Sequence, residues 1–215
     1  MANISFGSSL SLREFADAIA TVGHEVTIIG QGEPGIGKSA MLYVLEDRFP
    51  DHEVAYIDCT LLDLSDFALP YTVEENGKRI TKFAPNARFK LHTGKPVIIM
   101  LDEIGKAIKS VKNVLLTLMN EQRIGDEYLP EGSLVFGTTN LSSDGVGDVV
   151  EAHARNRVCF VTVRKPNAGF KSDGSIEDGS WGAWAIENDI SPEVIAAVKN
   201  FPEMLESYTD PSQRE

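Results

Sequence analysis

Short, almost wholly apolar runs alternate along this chain with longer segments whose apolar residues recur every three or four positions. EVTIIG (from Glu25), EVAYID (from Glu53), PVIIMLDE (from Pro96), SLVFGTTN (from Ser133) and VCFVTV (from Val158) have the length and composition of strands. PVIIMLDE is nearly all apolar, as expected of a strand covered on both faces. The intervening segments have helical period. Ser11 and Glu14 in SLRE fit a capping box, with Leu10 and Phe15 placed as a hydrophobic staple, which predicts a helix over 12–22. SAMLYVLEDRF, from Ser39, ends just before Pro50. AIKSVKNVLLTLMN, from Ala107, alternates lysines with an apolar stripe and reads as an amphipathic helix. Strands alternating with helices predict an α/β fold around a mostly parallel sheet.

Two places break the rhythm. Residues 66–87 hold β-prone runs around ENGK, a hairpin-turn signal, and predict an inserted hairpin. Residues 167–180 are rich in Gly, Ser and Asp and read as a linker. The expected organisation is therefore a core over 1–166, that linker, and a helical segment over 181–215 containing WGAWAIEN, PEVIAAVKN and PEMLESY. Trp181 and Trp184 have helical spacing and read as packing residues.

Composition narrows the function classes. The 215 residues carry a formal net charge of −12, which works against sequence-independent binding to a phosphate backbone. Two cysteines in or beside apolar runs, and four scattered histidines, suggest reduced thiols in a reducing compartment and no zinc site. The N-terminus lacks the basic and apolar regions of a signal peptide, and no run is long enough to span a bilayer. A cytoplasmic protein is expected.

Residues 32–39, GEPGIGKS, match G-x-x-x-x-G-K-[ST] in full, between a predicted strand and a predicted helix. Gly32, Glu33, Pro34, Gly35, Ile36 and Gly37 would form a loop whose backbone N–H groups turn inward around phosphates, because glycine admits the angles this needs. The following helix N-terminus favours the same anion. Lys38 would reach the β- and γ-phosphates, and the Ser39 hydroxyl would ligate Mg2+.

The strand VIIMLDE ends in Asp102, which would hold the Mg2+ shell at the sheet edge where ligands of open α/β sheets bind. Glu103 is placed to polarise a water for attack on the γ-phosphate. LVFGTTN ends in Asn140, whose amide would orient that water. Arg155 and Arg157, just before the last strand, are candidates for a finger projected into a neighbouring subunit, with Arg157 preferred.

The ordered set of phosphate loop, LDE, TTN and NRV resembles the AAA+ ATPases over roughly residues 30–166. It is most similar to their MoxR branch, through the hairpin insertion, LDEIGKAIKSVKNVLLTLMNEQRIG and VFGTTNLSSDGVGDVVEAHARNRV. The resemblance implies a P-loop NTPase αβα sandwich with a five-stranded sheet, ATP as nucleotide, and a ring, usually hexameric, with each site completed by a neighbour. It also implies a chaperone-like remodeller of a protein substrate, often acting with a von Willebrand factor A domain protein, and a bacterial or phage origin. The family pattern has a helical lid carrying a second sensing arginine. Here no arginine follows Pro166 until Arg214, so a truncated or reduced lid is expected.

Three functions are compatible with this sequence. The first is an ATP-hydrolysing motor that remodels a protein. The second is a nucleic-acid-associated ATPase such as a helicase loader, for which Lys106, Lys109 and Lys112 would form a basic stripe on one helix. The third is a nucleotide-gated scaffold with little turnover.

Overall fold

The computed structural model describes residues 9–140 and 158–205. The elements run α1 (Leu12–Val22), β1 (Thr27–Gly32), α2 (Met41–Arg48), β2 (Glu53–Asp58), β3 (Ala68–Glu75), β4 (Lys78–Pro85), β5 (Val97–Asp102), α3 (Lys109–Glu121), β6 (Arg123–Ile124), β7 (Glu127–Tyr128), β8 (Leu134–Asn140), β9 (Val158–Thr162), α4 (Trp181–Glu187) and α5 (Pro192–Asn200).

Five strands form one sheet in the order β2-β5-β8-β1-β9, and every pairing is parallel. The side-chain period of two sorts each strand onto two cores. Val97, Ile99 and Leu101 of β5 join Ala55, Ile57 and Val135 against Val111, Leu115 and Leu118 of α3. Ile98 and Met100 join Ile28 and Phe136 on the opposite face, against Phe15 and Ile19 of α1 and Met41 and Leu45 of α2. Full burial of such a Leu or Ile contributes about 1.5–3 kcal/mol each. The result is an αβα sandwich with the expected five strands, more uniformly parallel than the sequence required.

Local chemistry explains the element ends. The capping box at α1 forms as predicted: Ser11 Oγ accepts from the Glu14 N–H at 3.2 Å, and Glu14 Oε2 accepts from the Ser11 N–H at 2.7 Å. Phe15 then meets Phe136 of β8 edge-on, with centroids 6.3 Å apart. The insertion is a two-stranded antiparallel hairpin whose turn is Asn76–Gly77, with φ of 53° and 72°. Left-handed values at both central residues match the twist of a tight hairpin, and this is what Asn-Gly supplies. A second small hairpin, β6–β7, follows α3 where the sequence pattern predicts no strands. Its turn grips the first hairpin: Asp126 Oδ2 accepts from the Phe83 N–H at 2.7 Å.

The C-terminal region departs in detail. Residues 167–180 fold back on themselves, with a Phe170–Ile176 bridge, and the Trp181 N–H bonds the Asn167 carbonyl. Ser180 caps α4 and Pro192 opens α5, as their residue types favour. The third predicted helix is described only as a 3-10 turn over Pro202–Leu205. Trp181 is partly buried and Trp184 is about half-exposed. Arg155, Arg157 and Arg214 lie outside the described residues.

Candidate functional site

The strand order sets where a ligand can sit. From β1 the chain crosses over β8 and β5 to β2 at one edge, and β9 closes the other side of β1. The tip of β1 is therefore a topological switch point, where open α/β sheets form their binding crevice. The loop of residues 32–39 leaves from that tip. Asp102 ends β5 and Asn140 ends β8, and Asn140 is in register with Gly32 of β1.

The loop is held by packing as well as by backbone freedom. Gly35 and Gly37 take φ of 78° and 96°, values that L side chains rarely adopt. At Gly32, an added Cβ would lie 2.6 Å from Ile36 Cδ1 and 2.8 Å from the Val163 carbonyl oxygen. Ile36 is buried, whereas Pro34 and Gly35 are exposed at the loop crown. The helix expected from Ser39 starts later: residues Lys38–Ala40 form a 3-10 turn and α2 begins at Met41.

Lys38 is only 7% exposed. Its ammonium donates to the Gly32 carbonyl at 2.9 Å, to the Glu33 carbonyl at 2.7 Å and to Asn140 Oδ1 at 3.1 Å. Burial pulls its pKa below the usual lysine range, opposed by the charges of Glu103 and Asp102. An anion brought into the loop would offset that desolvation by Coulombic attraction.

Asp102 is the most heavily bonded group of the site. Its Oδ1 accepts from the Thr138 hydroxyl and, at 3.1 Å, from the Glu103 N–H. Its Oδ2 accepts from the Tyr56 hydroxyl at 2.8 Å and from the Ser39 hydroxyl at 3.2 Å. Burial and the bond to Asp102 push the Tyr56 hydroxyl up to about 12. Beside it, burial and the charges of Asp102 and Asp58 push the Cys59 thiol up to about 12, so it stays protonated and inert at neutral pH.

Glu103 sits at the strand tip with φ of 55°, a strained position for a residue with a side chain and of a kind found at functional sites. Its Oε1 accepts from the Asn140 amide at 2.6 Å, and its Oε2 pairs with Lys106 at 3.1 Å. A continuous chain thus runs from Lys38 through Asn140 and Glu103 to Lys106. Lys106 lies in the 3-10 turn before α3, so the basic stripe expected on one helix does not form as a unit.

These groups line one open cleft of about 280 Å3, bounded by Pro34, Gly35, Gly37, Lys38, Ser39, Ala40, Asp102, Glu103 and Asn140. Of the residues singled out in sequence, Lys38, Ser39, Asp102, Glu103 and Asn140 converge here. The Glu33 side chain does not line the cleft; its Oε2 lies 3.9 Å from the Lys165 ammonium. Tyr56, Thr138 and Lys106 were missed as site residues. Thr138 lies inside the quoted TTN run, but nothing in the local sequence ties Tyr56 to Asp102.

The donor set suits a hard cation shared with a phosphate ligand. Ser39 Oγ and Asp102 Oδ2 are neighbouring oxygens, the ligand type Mg2+ prefers, and Mg2+ commonly takes one or two protein ligands plus phosphates and waters. Among the described residues no cluster of three or more His, Cys, Asp or Glu could hold a metal unaided.

A family model described as the AAA domain (dynein-related subfamily) matches residues 28–140. No curated protein sequence matches the chain. Among solved structures, a presumptive ATPase from Cytophaga hutchinsonii aligns with TM-score 0.50 and 17% identity, over 86% of this chain and 53% of that one. NtrX from Brucella abortus in complex with ADP aligns with TM-score 0.51 and 13% identity, over 86% of this chain and 40% of that one. At these identities the likeness is one of fold, and the chain spans about half, or less, of either structure's length.

Proposed function

The chain belongs to the AAA domain family, in its dynein-related subfamily, and from that premise we propose that it binds ATP with Mg2+ and hydrolyses it to ADP and phosphate. The observation that carries this reading is the convergence of Lys38, Ser39, Asp102, Glu103 and Asn140 on one cleft at the sheet's switch point. Support at the family level comes from AAA domains as ATPases, and from a fold neighbour whose structure was determined with ADP.

Each residue has a part that its surroundings fit. The 32–39 loop wraps the phosphates with backbone N–H groups. Lys38 exchanges its Asn140 contact for phosphate oxygens, which restores charge pairing to a desolvated ammonium. Ser39 and Asp102 would hold Mg2+, which when bound would neutralise charge on the phosphates. Glu103 accepts a proton from the attacking water as its oxygen bonds the γ-phosphorus, and the bond to the bridging oxygen breaks with its electron pair leaving on ADP. Asn140, bonded to Glu103 at 2.6 Å, orients that carboxylate and the water.

The wider role we propose is a MoxR-like motor core that remodels a protein partner, of which a von Willebrand factor A domain protein is one expected kind. Its active site would be completed in a ring by Arg157, or Arg155, of a neighbouring copy. The net charge of −12, and the pairing of Lys106 with Glu103, weigh against a nucleic-acid partner.

Glu103→Gln tests the chemistry. ATP affinity should stay near native while kcat falls about 10²–10⁴-fold, the usual contribution of a positioned general base. Turnover equal to native would overturn the role given to Glu103.

A further inference from the structure

The Asp102 carboxylate is soft about its last torsion, yet four donors fix it. Two of them, Thr138 and the Glu103 N–H, secure Oδ1, and both come from the strand tips themselves. Oδ2 is the oxygen shared with Ser39, and its shorter bond comes from Tyr56 on the edge strand β2, 46 residues away in sequence.

The placement of Tyr56 follows from the sheet. Ala55 and Ile57 enter the core under α3, while Val54 packs on the opposite face with α1 and α2. Strand alternation therefore turns Tyr56 to the face that carries the 32–39 loop. Met100 lies on that same face, so Asp102, two residues on, shares it. Tyr56 is paired in register with Met100, one side-chain step short of Asp102, and its hydroxyl spans that step. The residue is 52% exposed, so burial does not account for a large aromatic here.

Resting on the nucleotide reading above, we infer that Tyr56 is a positioning residue that holds Asp102 Oδ2 toward Ser39, so that the two oxygens are set for a divalent cation before the metal–nucleotide arrives. Tyr56 itself touches neither nucleotide nor water in this role. It acts through Asp102, and its contribution belongs to the metal-dependent part of ATP binding alone.

The test uses Tyr56→Phe, which removes one oxygen atom from a half-exposed site. ATP affinity is measured with a fluorescent ATP analogue in Mg2+ and again in EDTA, beside a thermal melt. Outer-shell partners of metal ligands are typically worth 10–100-fold, and solvent competition at the half-exposed Tyr56 sets the expected loss lower, about 3–10-fold in Mg2+. Affinity in EDTA should stay native. The Mg2+ concentration for half-maximal hydrolysis should rise by a similar factor, with kcat at saturating Mg2+ near native. An equal loss in Mg2+ and EDTA would mean a general structural role and would overturn the inference, as would no loss in either. A native chain that gains nothing from Mg2+ removes the nucleotide reading and this inference with it. A native gain that Tyr56→Phe fully retains removes this inference alone.

Discussion

The 32–39 loop and the β3–β4 hairpin are both glycine-containing turns that leave the sheet, and they are built on opposite plans. The hairpin turn is local: Asn76 and Gly77 supply the two left-handed residues, strand pairing follows from Glu75–Lys78 inward, and Leu69, Tyr71 and Phe83 remain 55%, 43% and 46% exposed. The loop is tertiary. Gly32 has room only for hydrogen between Ile36 and the Val163 carbonyl, and Lys38 is buried against carbonyls and Asn140. A turn defined by its own residues tolerates change locally. A turn defined by what lies against it passes a change on to the site.

Two glycine substitutions break or sharpen this contrast. The larger effect is expected from Gly32→Ala, where overpacking against Ile36 and Val163 costs about 1–3 kcal/mol. Because the displaced backbone carries a carbonyl that holds Lys38, ATP affinity should fall by about tenfold or more, an energy of the same order. Calorimetric binding alongside thermal denaturation checks both. Gly77→Ala should show the smaller effect: a left-handed φ of 72° costs a residue with a side chain about 1–2 kcal/mol, read as a modest drop in Tm, with ATP affinity unchanged. Equal losses of ATP affinity in the two variants would erase the distinction between the regions.

The same division decides what could be read from the sequence. The capping box at Ser11, the Asn-Gly turn and the strand tips at Asp102 and Asn140 are signalled by residues within a few positions of one another, and each forms as expected. The parallel sheet was legible because continuous apolar runs such as VIIML have no solvent face. What crosses between strands was not legible. Tyr56 and Thr138 reach Asp102 over 46 and 36 positions, and only strand register brings them together. The spacing of Lys106 from Lys109 suits a helix face; instead a 3-10 turn after the strained Glu103 carries it to that carboxylate. The β6–β7 hairpin is two residues per strand, too short for a period to show.

All of these contacts matter to function only if a triphosphate seats itself around the Lys38 ammonium. Isothermal titration of the native chain and of Lys38→Ala with ATP and Mg2+ measures this directly. The native chain should bind one ATP per chain, and Lys38→Ala should lose at least about tenfold in affinity, since a charge-assisted contact of this kind is worth roughly 1.5–3 kcal/mol. Native-like affinity in Lys38→Ala, or no ATP binding by the native chain, would contradict the account.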